Sequence, residues 1–200
     1  MTIKELLDLT IHGNWITSGN DVQYKIDKID DTLYIAFQWT VSKTDWRQNF
    51  KFVIKPYRNM KDLWFVHKGF IENYKSVRDE IYDKIKYYDF NRIVILGYSH
   101  GAALATLCYE DLYYNNLGWN ITAYVFGSPR VVWFPSKKIR YRFHNLFNHL
   151  VRGDIVTRVP FNLLGYFHVG NKIRLGSFKL FGWVKYHMIE TYYNLLSARG

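Results

Sequence analysis

Arg92-Ile-Val-Ile-Leu-Gly-Tyr-Ser-His-Gly-Ala-Ala-Leu-Ala-Thr-Leu-Cys-Tyr109 is the stretch on which the reading of this chain turns. Its first part, Arg92 to Gly97, is an apolar run of the type that forms a strand buried on both faces. Its second part reads as a helix from Gly101 to Tyr114, built on Ala102, Ala103, Leu104, Ala105 and Leu107. Between them stands Gly97-Tyr98-Ser99-His100-Gly101, a G-x-S-x-G pattern. The bare pattern is short and weak. A strand ending at Leu96 and a helix beginning after Gly101 supply the strand–turn–helix setting that it requires. A serine in so sharp a turn is strained, so its neighbours must lack bulk, and Gly97 and Gly101 meet that condition. The helix N-terminus then lies beneath Ser99, where its N–H groups and dipole favour a developing negative charge.

Outward from this turn, strands alternate with helices. Val22 to Ile29 and Leu33 to Trp39 read as a hairpin about Asp30-Asp31, and Phe50 to Ile54 as a strand that stops at Pro56. Gly69 to Tyr88 is a mixed-charge amphipathic helix whose apolar stripe is Ile71, Tyr74, Val77, Ile81 and Ile85. Ile121 to Phe126 is a strand, and Ile139 to Phe143 and Phe147 to Val151 are shorter strand candidates. Residues 160–171 read as loop, and Trp183 to Leu196 as a closing helix. Ile3, Leu6 and Leu7 place a short helix at the start. The expected fold class is α/β: a central, mainly parallel β-sheet flanked by helices, with an N-terminal β-hairpin. No repeat or linker divides the chain, so residues 1–200 are expected to form a single domain.

Composition sets further bounds. A chain of 200 residues with 48% hydrophobic residues can bury a sizeable core and is not disordered. No stretch approaches the roughly 20 apolar residues that span a bilayer. The N-terminus is amphipathic, carries acids and lacks a continuous apolar region, so no secretory signal is read there. The protein is therefore expected in the cytoplasm or released by a route the sequence does not show, with peripheral attachment to a membrane. One cysteine, Cys108, excludes an internal disulfide framework and a cysteine-based zinc site. The histidines lack ligand spacing, so no metal and no cofactor is expected.

The net charge of +10 biases the protein toward anionic partners. Its densest basic groups are Lys137, Lys138, Arg140 and Arg142, then Arg152 and Arg158, read first as a solvated basic face. No base-reading or stacking motif supports specific nucleic-acid binding. Aromatics reach 19%, enough that some are expected to line a groove or face the surface.

A serine hydroxyl needs a base, and the base needs a group that orients it. Downstream acids are Glu110, Asp111, Asp154 and Glu190. Glu110 and Asp111 lie on the helix leaving the turn and face away, and Glu190 follows a candidate base by one turn. Asp154, in Val151-Arg-Gly-Asp-Ile-Val-Thr-Arg-Val-Pro160, is the best candidate acid. Beyond it stand His168 and His187, and chain order alone leaves both open.

Several separated blocks resemble the class 3, or fungal-type, lipase family over roughly residues 33–190. Leu33-Tyr-Ile-Ala-Phe-Gln-Trp-Thr40 with Asp45-Trp-Arg-Gln-Asn-Phe50 is similar to the family's AFRGT…DW segment, and Val66-His-Lys-Gly-Phe70 with Tyr74 to its VHxGF…Y block. Gly97 to Ala105 stands for GHSLGGALA, and Val125 to Val131 for FGxPRV. Gly153 to Pro160 stands for NDIVPRLP, and Gly165 to Gly170 for GYxHxG. The resemblance implies an α/β-hydrolase-like fold and a serine carboxylic-ester hydrolase. It assigns Ser99 as nucleophile and Asp154 as orienting acid. His168 falls in a block whose histidine is usually not the base, which points to His187 in Lys185-Tyr-His-Met-Ile-Glu-Thr-Tyr192. The oxyanion hole would take one N–H from His100 and one from Thr40, whose hydroxyl would assist.

Gln38-Trp39 replace the family's Arg-Gly, Tyr98 and His100 replace the His and Leu around the nucleophile, and Ala102 replaces a Gly. These mark a divergent member. The segment Val41 to Phe52 corresponds to the family's lid. Trp39, Trp46, Phe50 and Tyr98 are the expected lid and substrate-side residues. Phe161, Leu163, Leu164, Tyr166 and Phe167, then Phe178, Leu180, Phe181 and Trp183, are expected to form an acyl groove and rim. The expected partner is a lipid or membrane-surface substrate, anionic phospholipid in particular, with lipase or phospholipase A1-like activity. The alternatives are a non-lipid esterase, an acyltransferase, or a catalytically silent lipid binder.

Overall fold

The computed structural model describes residues 1–38, 52–116, 118–177 and 184–198. Its centre is the quoted stretch. β6 (Arg92–Tyr98) lies between β3 (Thr32–Phe37) and β7 (Ile121–Phe126), parallel to both. The parallel run continues through β9 (Leu146–Val151) to β11 (Asn171–Leu175). On the other side β3 pairs antiparallel with β2 (Val22–Ile29), and β2 with β1 (Ile16–Ser18). These seven strands form one sheet in the order β1-β2-β3-β6-β7-β9-β11. A smaller antiparallel sheet runs β10-β8-β5-β4, from β4 (Ile54–Asn59), β5 (Asp62–His67), β8 (Val132–Trp133) and β10 (Tyr166–Phe167).

The two faces of the central strands read out the alternation of their side chains. Leu33, Ile35, Phe37, Ile93 and Ile95 join a core with α2 (Lys68–Ile85) and α3 (His100–Asn115). Tyr34, Ala36, Val94, Leu96 and Tyr98 face the opposite way, into a core closed by α1 (Ile3–Asp8) and α5 (Ile189–Ser197). Because both faces are covered, β6 is buried along nearly its whole length, which is why it reads as an unbroken apolar run. The stripe read on α2 is buried at all five positions.

α3 is buried from Gly101 to Leu112, its acids included. Glu110 accepts from Arg142 Nε at 2.5 Å and Asn59 Nδ2 at 3.0 Å. Asp111 accepts from the Tyr74 hydroxyl at 2.7 Å and Arg78 Nε at 2.7 Å. Buried carboxylates persist only when paired in this way.

Four local expectations are corrected. Ile139–Phe143 is not a strand: α4 (Lys137–Tyr141) occupies that stretch, started by the Ser136 side chain, which accepts from the Ile139 N–H. Ile-Arg-Tyr-Arg-Phe mimics a two-residue period, but the cap and the helix-forming Lys and Arg residues decide the outcome. The strand expected to stop at Pro56 instead contains it, because β4 is an edge strand and its proline leaves no ladder bond unmade. Residues 160–171 hold β10 as well as loop. The closing helix is broken: a 3-10 turn, Val184–His187, precedes α5, with Met188 extended between them.

The basic face is also revised. Arg142 is buried and ion-paired to Asp62 and Glu110, and Lys138 pairs with Asp62, so these two cations are matched within the fold. Among the described residues no helix is long and apolar enough to cross a membrane.

Candidate active site

Ser99 follows the last residue of β6 and precedes the first residue of α3. Its backbone sits at φ 56°, ψ −122°, a region that non-glycine residues rarely occupy and that typically costs about 1–3 kcal/mol. The surroundings hold it there. The Ser99 N–H donates to the Phe126 carbonyl at 2.9 Å, and the Ala102 N–H donates to the Ser99 carbonyl at 3.0 Å. A Cβ on Gly97 would strike the Gly101 carbonyl, and a Cβ on Gly101 would strike the Phe37 carbonyl. The two glycines therefore let strand, turn and helix approach one another, as the G-x-S-x-G spacing implies.

Ser99 Oγ lies 2.7 Å from His187 Nε2, and His187 Nδ1 lies 2.7 Å from Asp154 Oδ2. A carboxylate only accepts, so the Nδ1–H donates to Asp154 and Nε2 is left to accept from the serine hydroxyl. Ser99, Asp154 and His187 come from the turn after β6, the loop after β9 and the 3-10 turn before α5. All three are buried. Asp154 is further fixed by the Val156 N–H, which donates to Oδ1 at 2.8 Å, and by the Tyr192 hydroxyl, which donates to Oδ2 at 2.7 Å.

Two tyrosines complete the setting. Tyr98, expected on the substrate side, lies instead beneath the imidazole: its ring is 4% exposed and stacks on His187 at 5.2 Å and 15°. Its hydroxyl donates to the His187 carbonyl. Burial, then the charges of Asp154 and Glu190, push the Tyr98 phenol far above its ordinary value, so it remains a donor. Tyr192 is fully buried, is raised likewise by burial and by Asp154, and also accepts from the Val151 N–H at 3.3 Å. Sequence reading missed Tyr192. The only signal was a hydroxyl on an otherwise apolar helical stripe, which looks like ordinary core.

His168 is engaged elsewhere. Its Nε2–H donates to the Thr157 carbonyl at 2.7 Å, and its Nδ1 accepts from the Asn148 amide at 3.3 Å. Burial, reinforced by the charges of Arg130, Lys172 and Arg174, lowers it to about 4. His100 is the first residue of α3, and its Nε2 meets the Asn73 amide at 3.3 Å. Thr40, Trp39, Trp46 and Phe50 lie outside the described residues, as do Phe178, Leu180, Phe181 and Trp183. Of the expected rim, Leu163 is 94% exposed while Tyr166 is buried. Among the described residues no group of three or more His, Cys, Asp or Glu side chains could hold a metal.

The family model Lipase (class 3) matches residues 34–164. The chain belongs to the class 3 lipase family. It is 31% identical over 180 residues to a lipase of Rhizomucor miehei, covering 82% of this chain and 48% of that protein. It is 36% identical over 96 residues to a phospholipase A1 of Oryza sativa, covering 44% of this chain and 21% of that one. A solved triacylglycerol lipase, described as having a serine protease triad for its catalytic centre, superposes with a TM-score of 0.70 at 26% identity. That superposition covers 82% of this chain and 66% of the other. The chain thus spans about half the length of the Rhizomucor relative. The seven-stranded, mainly parallel sheet with helices on both faces is the α/β-hydrolase arrangement expected from the sequence.

Proposed function

We propose that this class 3 lipase-family chain is a serine hydrolase of lipid carboxylic esters, lipase or phospholipase A1-like, working at a membrane surface. The observation that carries the reading is the unbroken relay of two 2.7 Å hydrogen bonds from Ser99 through His187 to Asp154. Ser99 Oγ attacks the ester carbonyl carbon while His187 Nε2 takes its proton. The carbonyl π pair moves onto oxygen and is met by the His100 N–H, with Thr40 as the second donor that the family resemblance implies. Collapse expels the alcohol, which takes the proton back from His187 and leaves an acyl-enzyme. Water, deprotonated by the same nitrogen, then releases the fatty acid and restores Ser99. Asp154 holds the imidazole in the accepting tautomer throughout.

The whole chain, residues 1–200, is taken as one catalytic domain. Its first and last helices packing on one face of the same sheet supports this. The membrane surface is supported by a run of aromatic contacts on the small sheet. Phe65 meets Trp133 at 5.6 Å, Trp133 meets Phe134 at 4.8 Å, and Phe134 meets Phe167 at 5.8 Å. Phe134 is 62% exposed; Leu163 and Leu164 are exposed as well, and the Trp133 indole N–H donates to the Leu164 carbonyl at 3.0 Å. Exposed apolar clusters of this kind mark lipid or partner contacts. The net charge of +10 favours anionic phospholipid.

Ser99→Ala tests the reaction. It should keep the melting temperature, lose fluorophosphonate labelling, and abolish release of fatty acid from a mixed-lipid incubation followed by mass spectrometry. Undiminished ester cleavage by this variant would overturn the assignment.

A further inference from the structure

A cavity of about 620 Å³ opens beside β9 and β11, outside the catalytic trio. Six cations line it: Arg130, Arg140, Arg152, Arg158, Lys172 and Arg174. No carboxylate is among its described lining residues. We propose that this cavity is a binding site for a multiply charged phosphate group.

The arrangement differs in kind from the other basic cluster of the fold. Arg142 and Lys138 are matched by Asp62 and Glu110. Around the cavity, Arg130, Arg140, Arg152, Arg158 and Lys172 make no ion pair with a carboxylate among the described residues. Like charges gathered around one concavity repel, and an anion relieves that repulsion. Lys172 and Arg174, two residues apart on edge strand β11, could serve only to blunt the edge. That account does not reach Arg130, Arg152 and Arg158, which come from other parts of the chain and converge on the same space.

Two of the guanidinium groups are held in place rather than left to wander. Arg130 Nη1 donates to the Arg158 carbonyl at 2.6 Å and the Pro160 carbonyl at 2.9 Å. Arg140 sits over the Phe167 ring at 5.3 Å and reaches the His168 carbonyl at 3.5 Å. Held guanidinium forks match the geometry of phosphate oxygens. Burial and the charge of Arg158 together lower the Arg130 pKa, the direction expected of a cation awaiting an anion. The volume falls in the range of small-molecule sites and accommodates a sugar-phosphate-sized group.

The phosphate can reside on a lipid headgroup or on a soluble molecule. Phe161 and Phe167 line the cavity, and Phe167 packs on the exposed Phe134, so the cations border the apolar patch. The inference deepens the membrane-surface reading but is independent of catalysis, because every measurement is made on Ser99→Ala protein. Failure of ester cleavage and failure of anion binding are therefore separate results.

Inositol hexakisphosphate binding is measured by titration calorimetry. Flotation is measured with phosphatidylcholine vesicles with and without phosphatidylinositol 4,5-bisphosphate. Arg152→Gln with Lys172→Gln removes two exposed cations from the cavity. Lys28→Gln with Lys61→Gln removes the same charge from exposed sites elsewhere. The cavity pair should weaken binding roughly 25-fold, about fivefold for each cation, while the control pair changes it less than twofold. A loss confined to vesicles assigns the site to a lipid headgroup. A loss confined to the soluble probe assigns it to a free phosphate compound. Equal losses in the two double variants, or no measurable binding of either probe by the parent, overturn the proposal.

Discussion

Replacing Asp154 by Asn should reduce kcat by about four orders of magnitude while leaving the fold and KM nearly unchanged. The carboxylate accepts at both oxygens: Oδ2 from His187 Nδ1–H and the Tyr192 hydroxyl, Oδ1 from the Val156 N–H. An amide has one oxygen and one NH2, so it can satisfy only one side. With its oxygen toward His187, the NH2 opposes the Val156 N–H and leaves that buried donor without an acceptor, at about 1–3 kcal/mol. With its oxygen toward Val156, the NH2 donates to His187 Nδ1, and the Tyr192 hydroxyl turns to accept. Only the Tyr192 hydroxyl hydrogen then lacks an acceptor, against both the Val156 N–H and the opposing NH2 in the first orientation, so this second orientation dominates by roughly tenfold to a hundredfold. It moves the imidazole proton to Nε2, where a hydrogen now points at Ser99 Oγ. The base is gone in that state. The minor state keeps the tautomer but has no negative charge opposite the imidazolium, which accounts for the remaining factor. Steady-state hydrolysis of a soluble short-chain p-nitrophenyl ester separates kcat from KM, and a thermal melt checks the fold. A kcat within tenfold of the parent, in a variant that melts normally, would show that Asp154 does not orient the base.

Two further consequences concern the surroundings of the trio and the stability of the fold. Tyr192→Phe removes a donor to a buried carboxylate and an acceptor for the Val151 N–H, and should cost about 2 kcal/mol, a melting shift of roughly 4–8 °C. An unchanged melting temperature would refute it, and kcat should fall by less than about tenfold because the Asp154–His187 bond survives. His67 is 1% exposed, and burial lowers its pKa to about 4. The unfolded imidazole protonates near 6.5, so the unfolded state binds the extra proton between about pH 6.5 and 4, and stability is lost as pH falls through that window. His67→Leu should therefore lose about 2 kcal/mol less than the parent between pH 7 and 4.5 by urea unfolding. Parallel pH profiles would count against a neutral buried His67.

What the chain discloses in one dimension follows from how local each cause is. The turn at Ser99 was legible because its strand, its two glycines and its helix are contiguous. Asp154 could be ranked by chain order, but the choice of His187 over His168 rested on family resemblance alone. The reason lies in contacts that spacing does not encode: His168 is tied to Thr157 and Asn148, residues far apart in sequence. Tyr192 stayed hidden because a phenol on an apolar stripe looks the same with or without a carboxylate beneath it. In the sequence Arg142 looks like surface charge alongside Lys137, Lys138 and Arg140, because its partners, Asp62 and Glu110, lie 80 and 32 residues away. The cations of the cavity are dispersed for the same reason, and only the sheet order gathers them.

That order also explains why the base must come from outside the sheet. β6, β7, β9 and β11 run parallel, and their ends are in register at Tyr98 with Phe126, Phe126 with His149, and Val151 with Leu175. Whatever leaves these strands emerges along one edge, in the order Ser99, then Asp154, then the cavity beside β11. β6 and β9 are two strand spacings apart, about 10 Å. A hydroxyl and a carboxylate carried on them cannot touch, and an imidazole with a 2.7 Å bond at each end spans the gap. It has to arrive from above the edge, which a helix running straight through residue 187 would not deliver. The extended Met188 between the 3-10 turn and α5 turns the chain so that His187 enters while Tyr192, on the helix proper, closes on Asp154 from the same side. By the same spacing the β11 side of the cavity is three strands from β6, about 14 Å. A phosphate few bonds removed from an ester at Ser99 does not reach that far. An anion bound on that side is therefore not the phosphate adjoining a scissile ester at Ser99.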